Sequence, residues 1–262
     1  MIDAGRIGQA NARRTSREDG GRPDKASRPT IGVVLPSSNR TVERVAYVIR
    51  QSRPELDICM TRVPYSGHPS DGYELESFRR ATRLLADTRP DVILWNATRG
   101  ALLGFEPDRV LCRMIEEIAG VPATTTALAT LQVLKAEGIR RIALIAQGGL
   151  DDCERLTSTF GDEGITVIAS SALGIEDNFE AAAVTDDDLI AVASDLCGRA
   201  EPEGLLIWST NLGGHALSRR CAGLGVRVFD STTIGFDVAL ALLDDPPRTK
   251  PPDAALRPAS PR

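Results

Sequence analysis

Short apolar runs alternate along the chain with stretches whose apolar residues recur every three or four positions. TIGVVLP (30–36), LDICMTRVP (56–64), DVILWNA (91–97) and VPATTT (121–126) read as strands. Between them, NRTVERVAYVIRQS carries Val42, Val45, Ala46 and Ile49 at helical spacing. YELESFRRATRLLADT places Leu75, Phe78, Ala81, Leu84 and Leu85 on one face. EPDRVLCRMIEEIAG has proline near its start and glycine after its end, the usual order for a helix. ALATLQVLKAEG supplies the next helix. The series then restarts. RRIALIAQ (140–147), ITVIASSAL (165–173), GLLIWST (204–210) and VRVFDST (226–232) are expected strands. DDCERLTSTFGDEG (151–164), TDDDLIAVASDLCGRAE (185–201), GHALSRRCAGLG (214–225) and IGFDVALALL (234–243) are expected helices. Thr185 followed by three acids reads as a capped helix start.

Strands alternating with helices predict parallel sheets covered on both faces, and continuous apolar runs suit strands buried on both sides. The fold class expected is α/β, with two pseudo-symmetric Rossmann-like halves, each a short parallel sheet flanked by helices. The first half spans 30–138, its last helix a candidate to pack on the second half, which spans 139–243. IGVVLPSSN (31–39) aligns with IALIAQGGL (142–150), and DVILWNATRG (91–100) with EGLLIWSTNL (203–212). VPATTT aligns more loosely with VRVFDSTT (226–233).

Small hydroxyl and amide residues collect just past these strand ends. That register sets Ala97, Thr98 and Arg99 opposite Ser209, Thr210 and Asn211. Taken singly, such residues serve equally well as helix caps. Clustered at corresponding ends of both halves, they point to a cleft, because open parallel sheets bind ligands outside the carboxyl ends of their strands. Helix N-termini there present N–H groups that favour anions.

Composition narrows the function classes. The 262 residues carry a net charge of −5, which argues against nucleic-acid binding. No apolar run approaches the ~20 residues that span a bilayer, so no membrane partner is expected. Five scattered cysteines without C-x-x-C pairs suit a reducing, cytoplasmic location. Two histidines, His68 and His215, are too few for a histidine-rich metal site, and no metal is expected. Residues 1–29 are poor in apolar side chains and 244–262 are rich in proline; both segments are expected to be disordered.

GVVLPSSNRTVE (32–43), DVILWNATRG, LGIEDNFEAAAVTDDDL (173–189) and IWSTNLGG (207–214) together resemble the aspartate/glutamate racemase superfamily. The branch they resemble is the maleate cis-trans isomerase and arylmalonate decarboxylase group, over about residues 30–243. The resemblance implies an active site between the halves, chemistry on a small carboxylate or dicarboxylate, and no cofactor. It also allows a homo-oligomer. Pro36, Ser37, Ser38 and Asn39 are then expected to form a carboxylate-binding turn. Ala97, Thr98, Gly148, Gly149, Thr210 and Asn211 are expected to bind substrate. The two positions where the family carries cysteines hold Ala97 and Ser209, and the loop that usually carries Pro-Tyr reads Gln147-Gly148.

These departures remove the usual proton-transfer groups. Ser209 becomes the candidate proton donor or nucleophile, with Arg99 as a carboxylate partner and His215 as a base if the glycine pair folds it back. Tyr65 and His68, with Tyr73, lie in a Gly/Pro-rich loop and are candidates for the pocket mouth. The function expected is an isomerase-, racemase- or decarboxylase-like enzyme. A non-catalytic carboxylate-binding protein is the alternative, and a Ser209-dependent hydrolase ranks last because no G-x-S-x-G elbow is present.

Overall fold

The computed structural model describes residues 28–64, 72–220 and 222–244. The segments expected to be disordered fall almost wholly outside them, as do Tyr65, His68 and Cys221. The first half runs β1 (Thr30–Pro36), α1 (Val42–Ser52), β2 (Asp57–Val63), α2 (Leu75–Ala86), β3 (Val92–Trp95), α3 (Glu106–Ala119), β4 (Ala123–Thr125) and α4 (Thr126–Ala136). The second runs β5 (Arg141–Ala146), α5 (Leu150–Asp162), β6 (Thr166–Ala172), α6 (Asn178–Ala181), α7 (Asp186–Ala200), β7 (Gly204–Trp208), α8 (Leu217–Arg220), β8 (Arg227–Asp230) and α9 (Ser231–Asp244). Both sheets are parallel and share one strand order, β2-β1-β3-β4 and β6-β5-β7-β8. The register repeats too: Ile31 lies opposite Val92 as Ile142 lies opposite Gly204.

The strands with the most continuous apolar runs are the inner ones. β1, β3 and β7 are buried at every residue, while the edge strands β2 and β6 are partly exposed. Helices cover both faces of each sheet, as the sequence pattern requires. The last helix of each half crosses over. Phe236 and Ala239 of α9 share a core with Ile31, Val33 and Leu94 of the first sheet. Leu131 and Leu134 of α4 share one with Leu144, Ala146 and Leu206 of the second. α4 and α9 meet closely, and Gly235 allows it: a Cβ there would stand 2.8 Å from Thr126 Oγ1.

Caps explain where several elements begin. Thr185 Oγ1 accepts from Asp188 N while Asp188 Oδ2 accepts from Thr185 N, completing a capping box on α7. Thr125 Oγ1 accepts from Leu128 N at the start of α4. Asp230 does the same for α9, accepting from Thr233 N at 2.9 Å. The expected strand 226–232 therefore stops at Asp230, and Ser231 and Thr232 open the helix. The continuous helix expected over 214–225 is instead broken into a 3-10 turn (Gly214–Ala216), the four-residue α8 and a second turn (Ala222–Leu224). Glycine costs a helix backbone entropy, and this stretch holds Gly214, Gly223 and Gly225, the last at φ +66°.

Polar side chains tie the halves together. Asn39 Nδ2 donates to the Thr210 carbonyl at 3.0 Å and to Thr210 Oγ1 at 3.1 Å. Thr41 Oγ1 donates to the Asn211 carbonyl at 2.9 Å, and Asn96 Nδ2 to the Thr232 carbonyl at 3.3 Å. All of these residues are buried, so each missing bond would leave a polar group out of reach of water.

Candidate active site

The strand ends of the two halves enclose a cavity of about 80 Å3. β3 delivers Ala97, Thr98 and Arg99 to it, and β7 delivers Trp208, Ser209, Thr210 and Asn211. β5 ends in Ala146, Gln147 and Gly148, while Pro36 reaches in from β1. Its apolar lining comes from Leu102, Ala146, Leu156, Ile175 and Trp208, of which all but Ile175 pack with one core cluster. Trp208 is held edge-on against Phe160 at 5.1 Å, and Phe160 against Phe105 at 5.3 Å. Edge-to-face aromatic contacts of this kind fix the shape of the lining there.

Ser209 is 4% exposed, and its hydroxyl is firmly engaged. It donates to Gln147 Oε1 at 2.5 Å and accepts from Asn211 N at 3.0 Å. Gln147 Nε2 donates to Asn178 Oδ1 at 3.1 Å and to the Ile175 carbonyl at 3.4 Å. Asn178 Nδ2 then donates to Ser38 Oγ at 2.7 Å, which crosses from the second half to the first. A main-chain carbonyl can only accept, so Ile175 sets the direction of the relay. The Gln147 amide oxygen must face Ser209, and Ser209 must be the donor. No base among the described residues contacts the hydroxyl. A second contact supports the same junction, with the Arg40 guanidinium 4.9 Å from the centre of the Phe179 ring.

Several expected site residues take other positions. Within the 36–39 turn, Pro36 lines the cavity, whereas Ser37 and Ser38 are exposed and Asn39 is 1% exposed outside it. Asn39 Oδ1 accepts from Thr41 N and Val42 N, opening α1, so its side chain is spent on the helix start and the inter-half bridge. Arg62 holds this turn by donating to the carbonyls of Pro36, Ser37 and Asn39. Gly149 is exposed as the residue before α5 and does not line the cavity. His215 lies in the turn after β7, outside the cavity, and makes no hydrogen bond to Ser209; its Nδ1 is buried without a partner among the described residues. The expected serine–histidine pair is therefore not formed: the Ser209 hydroxyl is taken by Gln147 and the Asn211 N–H. Tyr73 is no pocket-mouth residue: its hydroxyl accepts from Trp95 Nε1 at 3.1 Å and donates to Asp108 at 3.2 Å beneath Gly100. Thr210 lines the cavity, but its hydroxyl serves the bridge to Asn39 and reaches the Asn96 carbonyl at 3.5 Å.

Arg99, Ala97, Thr98, Gly148 and Asn211 do meet Ser209 at the cavity. Asn211 Oδ1 is buried there without a hydrogen-bond partner among the described residues. Sequence reasoning missed Gln147 as a contact of Ser209, together with Asp152, Glu176 and Asn178. In the sequence Asp152 is only part of the segment 151–164 expected to be a helix. None of the described cysteines lines the cavity. Burial pushes the Cys112 and Cys153 thiols up, away from thiolate chemistry. Among the described residues, no three His, Cys, Asp or Glu side chains cluster as metal ligands, and no helix is long and apolar enough to cross a membrane.

Known proteins share this architecture. The family model for arylmalonate decarboxylase matches residues 75–252. The arylmalonate decarboxylase of Bordetella bronchiseptica is 29% identical over 240 residues, covering 87% of this chain and 95% of its own. The maleate isomerase of Nocardia farcinica is 29% identical over 176 residues, covering 63% and 70%. Among solved structures, maleate isomerase from Pseudomonas putida S16 with maleate superposes with a TM-score of 0.76 at 19% identity, covering 82% of this chain and 92% of that one. A liganded double mutant of arylmalonate decarboxylase superposes with a TM-score of 0.70 at 27% identity, covering 85% and 96%. With two repeated α/β halves, a cleft at their strand ends and a match over most of its length, the chain belongs to the arylmalonate decarboxylase family.

Proposed function

We propose that this protein is an enzyme that decarboxylates a small 2-substituted malonate, through an enediolate held at the strand ends of the two halves. The observation that carries this reading is one cavity lined both by polar residues, Thr98, Arg99 and Ser209, and by apolar residues, Leu102, Leu156 and Trp208. Arg99 suits a carboxylate, to which a guanidinium can donate two parallel hydrogen bonds. The apolar lining residues disfavour a second charged carboxylate and favour neutral carbon dioxide, which helps the departing group leave. As the carbon–carbon bond breaks, its electron pair spreads into the retained carboxylate. Hydroxyl and N–H donors at the strand ends stabilise that developing charge.

Ser209 acts here as a hydrogen-bond donor to the enediolate, turning from the neutral Gln147 oxygen to a charged one, which forms the stronger bond. It is not a nucleophile, because a serine hydroxyl needs an adjacent base and its partners are an amide oxygen and a backbone N–H. The same feature argues against the hydrolase reading. Isomerisation of an unsaturated dicarboxylate at the same site is the second reading, favoured by the likeness to maleate isomerase.

The test follows methylmalonate, phenylmalonate and maleate by NMR in deuterium oxide. Decarboxylation predicts one solvent deuterium at the α-carbon of the product; conversion of maleate to fumarate would select the second reading. Ser209→Ala is expected to lower kcat by about 100-fold, the usual effect of one oxyanion donor. Binding of these acids with no turnover would mean a binding protein.

A further inference from the structure

The loss of both cysteines leaves the reaction without an evident proton source, and the cavity offers a replacement. We propose that Asp152, in the first turn of α5, is the catalytic residue that delivers the proton to the α-carbon. This inference rests on the decarboxylation reading above and adds the identity of its acid.

Three observations carry it. Asp152 lines the same cavity as Ser209, Thr98 and Arg99. Its carboxylate is pressed against Gly148: a Cβ built on Gly148 would stand 1.8 Å from Asp152 Oδ2. Any side chain at position 148 would displace the carboxylate, so the bare glycine and the acid form one device. Ser209 is the poorer source: a serine hydroxyl is a far weaker acid than a carboxyl, and its contacts are an amide oxygen and a backbone N–H rather than a base that could exchange its proton. Among the described cavity residues the other ionisable groups are Arg99, which stays protonated, and Glu176, which is exposed. Asp152 is half-buried, and reprotonation from water is open to it.

The step balances without a cofactor. The bond between the α-carbon and one carboxylate breaks, and that carboxylate leaves as carbon dioxide. Its bonding pair enters the retained carboxylate as an enediolate. A solvent proton then passes through the Asp152 carboxyl to the α-carbon: water gives a proton to one carboxylate oxygen as the carboxyl hands a proton on, and the enediolate pair becomes the new C–H bond.

The experiment measures kcat and KM of the full-length protein for whichever of methylmalonate, phenylmalonate and maleate it turns over. Asp152→Asn is expected to lower kcat at least about 100-fold, the range of a lost general acid, with KM changed less than about threefold. Gly148→Ala is expected to lower kcat as well, by pushing the carboxylate aside. In the Asp152→Asn background, Gly148→Ala should cost several-fold less than it does alone, since most of its effect passes through the missing acid. A merely structural role predicts additive losses instead. Should Asp152→Asn keep more than about a tenth of kcat, or should the two substitutions add, the proton-donor role is overturned while the decarboxylation reading stands. If the wild-type protein turns over none of the three acids, both fall together.

Discussion

Removing the Asn39 side chain separates an architectural role from a ligand-binding one. Asn39 accepts two backbone N–H bonds at the start of α1 and donates two bonds to Thr210 across the halves, all from a position 1% exposed. Losing the acceptor at the helix start costs about 1 kcal/mol. Losing the two bonds to Thr210 costs about 1 kcal/mol each. Asn39→Ala is therefore expected to lower unfolding free energy by about 3 kcal/mol, a fall in Tm of about 6 to 12 °C for a domain of this size. Urea unfolding followed by tryptophan fluorescence measures it, since Trp95 and Trp208 report on one half each. Asn39→Asp keeps an acceptor for Thr41 and Val42 but turns the donor facing Thr210 into an acceptor. It should also destabilise, even though the helix start is intact. A change under about 0.5 kcal/mol in Asn39→Ala, together with weakened binding of a carboxylate such as malonate, would refute the bridge and restore the carboxylate-binding turn expected from sequence.

Buried acids give a pH signature. Burial raises Asp108 and Asp230 from 3.8 to about 6 each, opposed at Asp108 by the Tyr73 hydroxyl and at Asp230 by Thr233. Each binds its proton more tightly when folded, so its stabilisation is full below 3.8 and is lost as pH rises through about 6. The loss is on the order of 3 kcal/mol per group. Asp230→Asn should gain stability relative to wild type between about pH 4 and pH 7, and parallel urea midpoints across that range would contradict this. Gln147→Leu cuts the relay from Ser209 to Ser38; malonate binding by calorimetry should weaken severalfold while unfolding free energy shifts by less than about 1.5 kcal/mol. Thr185→Ala removes the capping box of α7 and should cost about 1 kcal/mol, whereas Thr185→Ser should leave Tm nearly unmoved.

Much of the fold was legible because its signals are local. Continuous apolar runs marked β1, β3, β5 and β7, and three- and four-residue spacing marked α1, α2 and α3. The segment 214–225 misled because its apolar positions suit a helix while its glycines break one. At the cleft, the strand-end residues Thr98, Arg99, Ser209, Thr210 and Asn211 were legible from the repeat between halves. Asp152 and Asn178 were not, since neither stands at a strand end nor in the repeated pattern. What brings them to Ser209 is the path of the chain after β5 and β6.

The sequence by itself determined the α/β alternation and the two-half repeat, because each depends only on residue type and spacing. Tertiary structure decided how the polar residues are used. Asn39 and Thr210 look like ligand residues in one dimension, yet they face each other across the interface, where burial obliges them to pair. Gly148 looks like a lost side chain, and only the fold reveals the Asp152 carboxylate in the space it leaves. Hydrogen bonding and steric exclusion act between residues far apart in the chain, so their partners are fixed only when both halves close around the cleft.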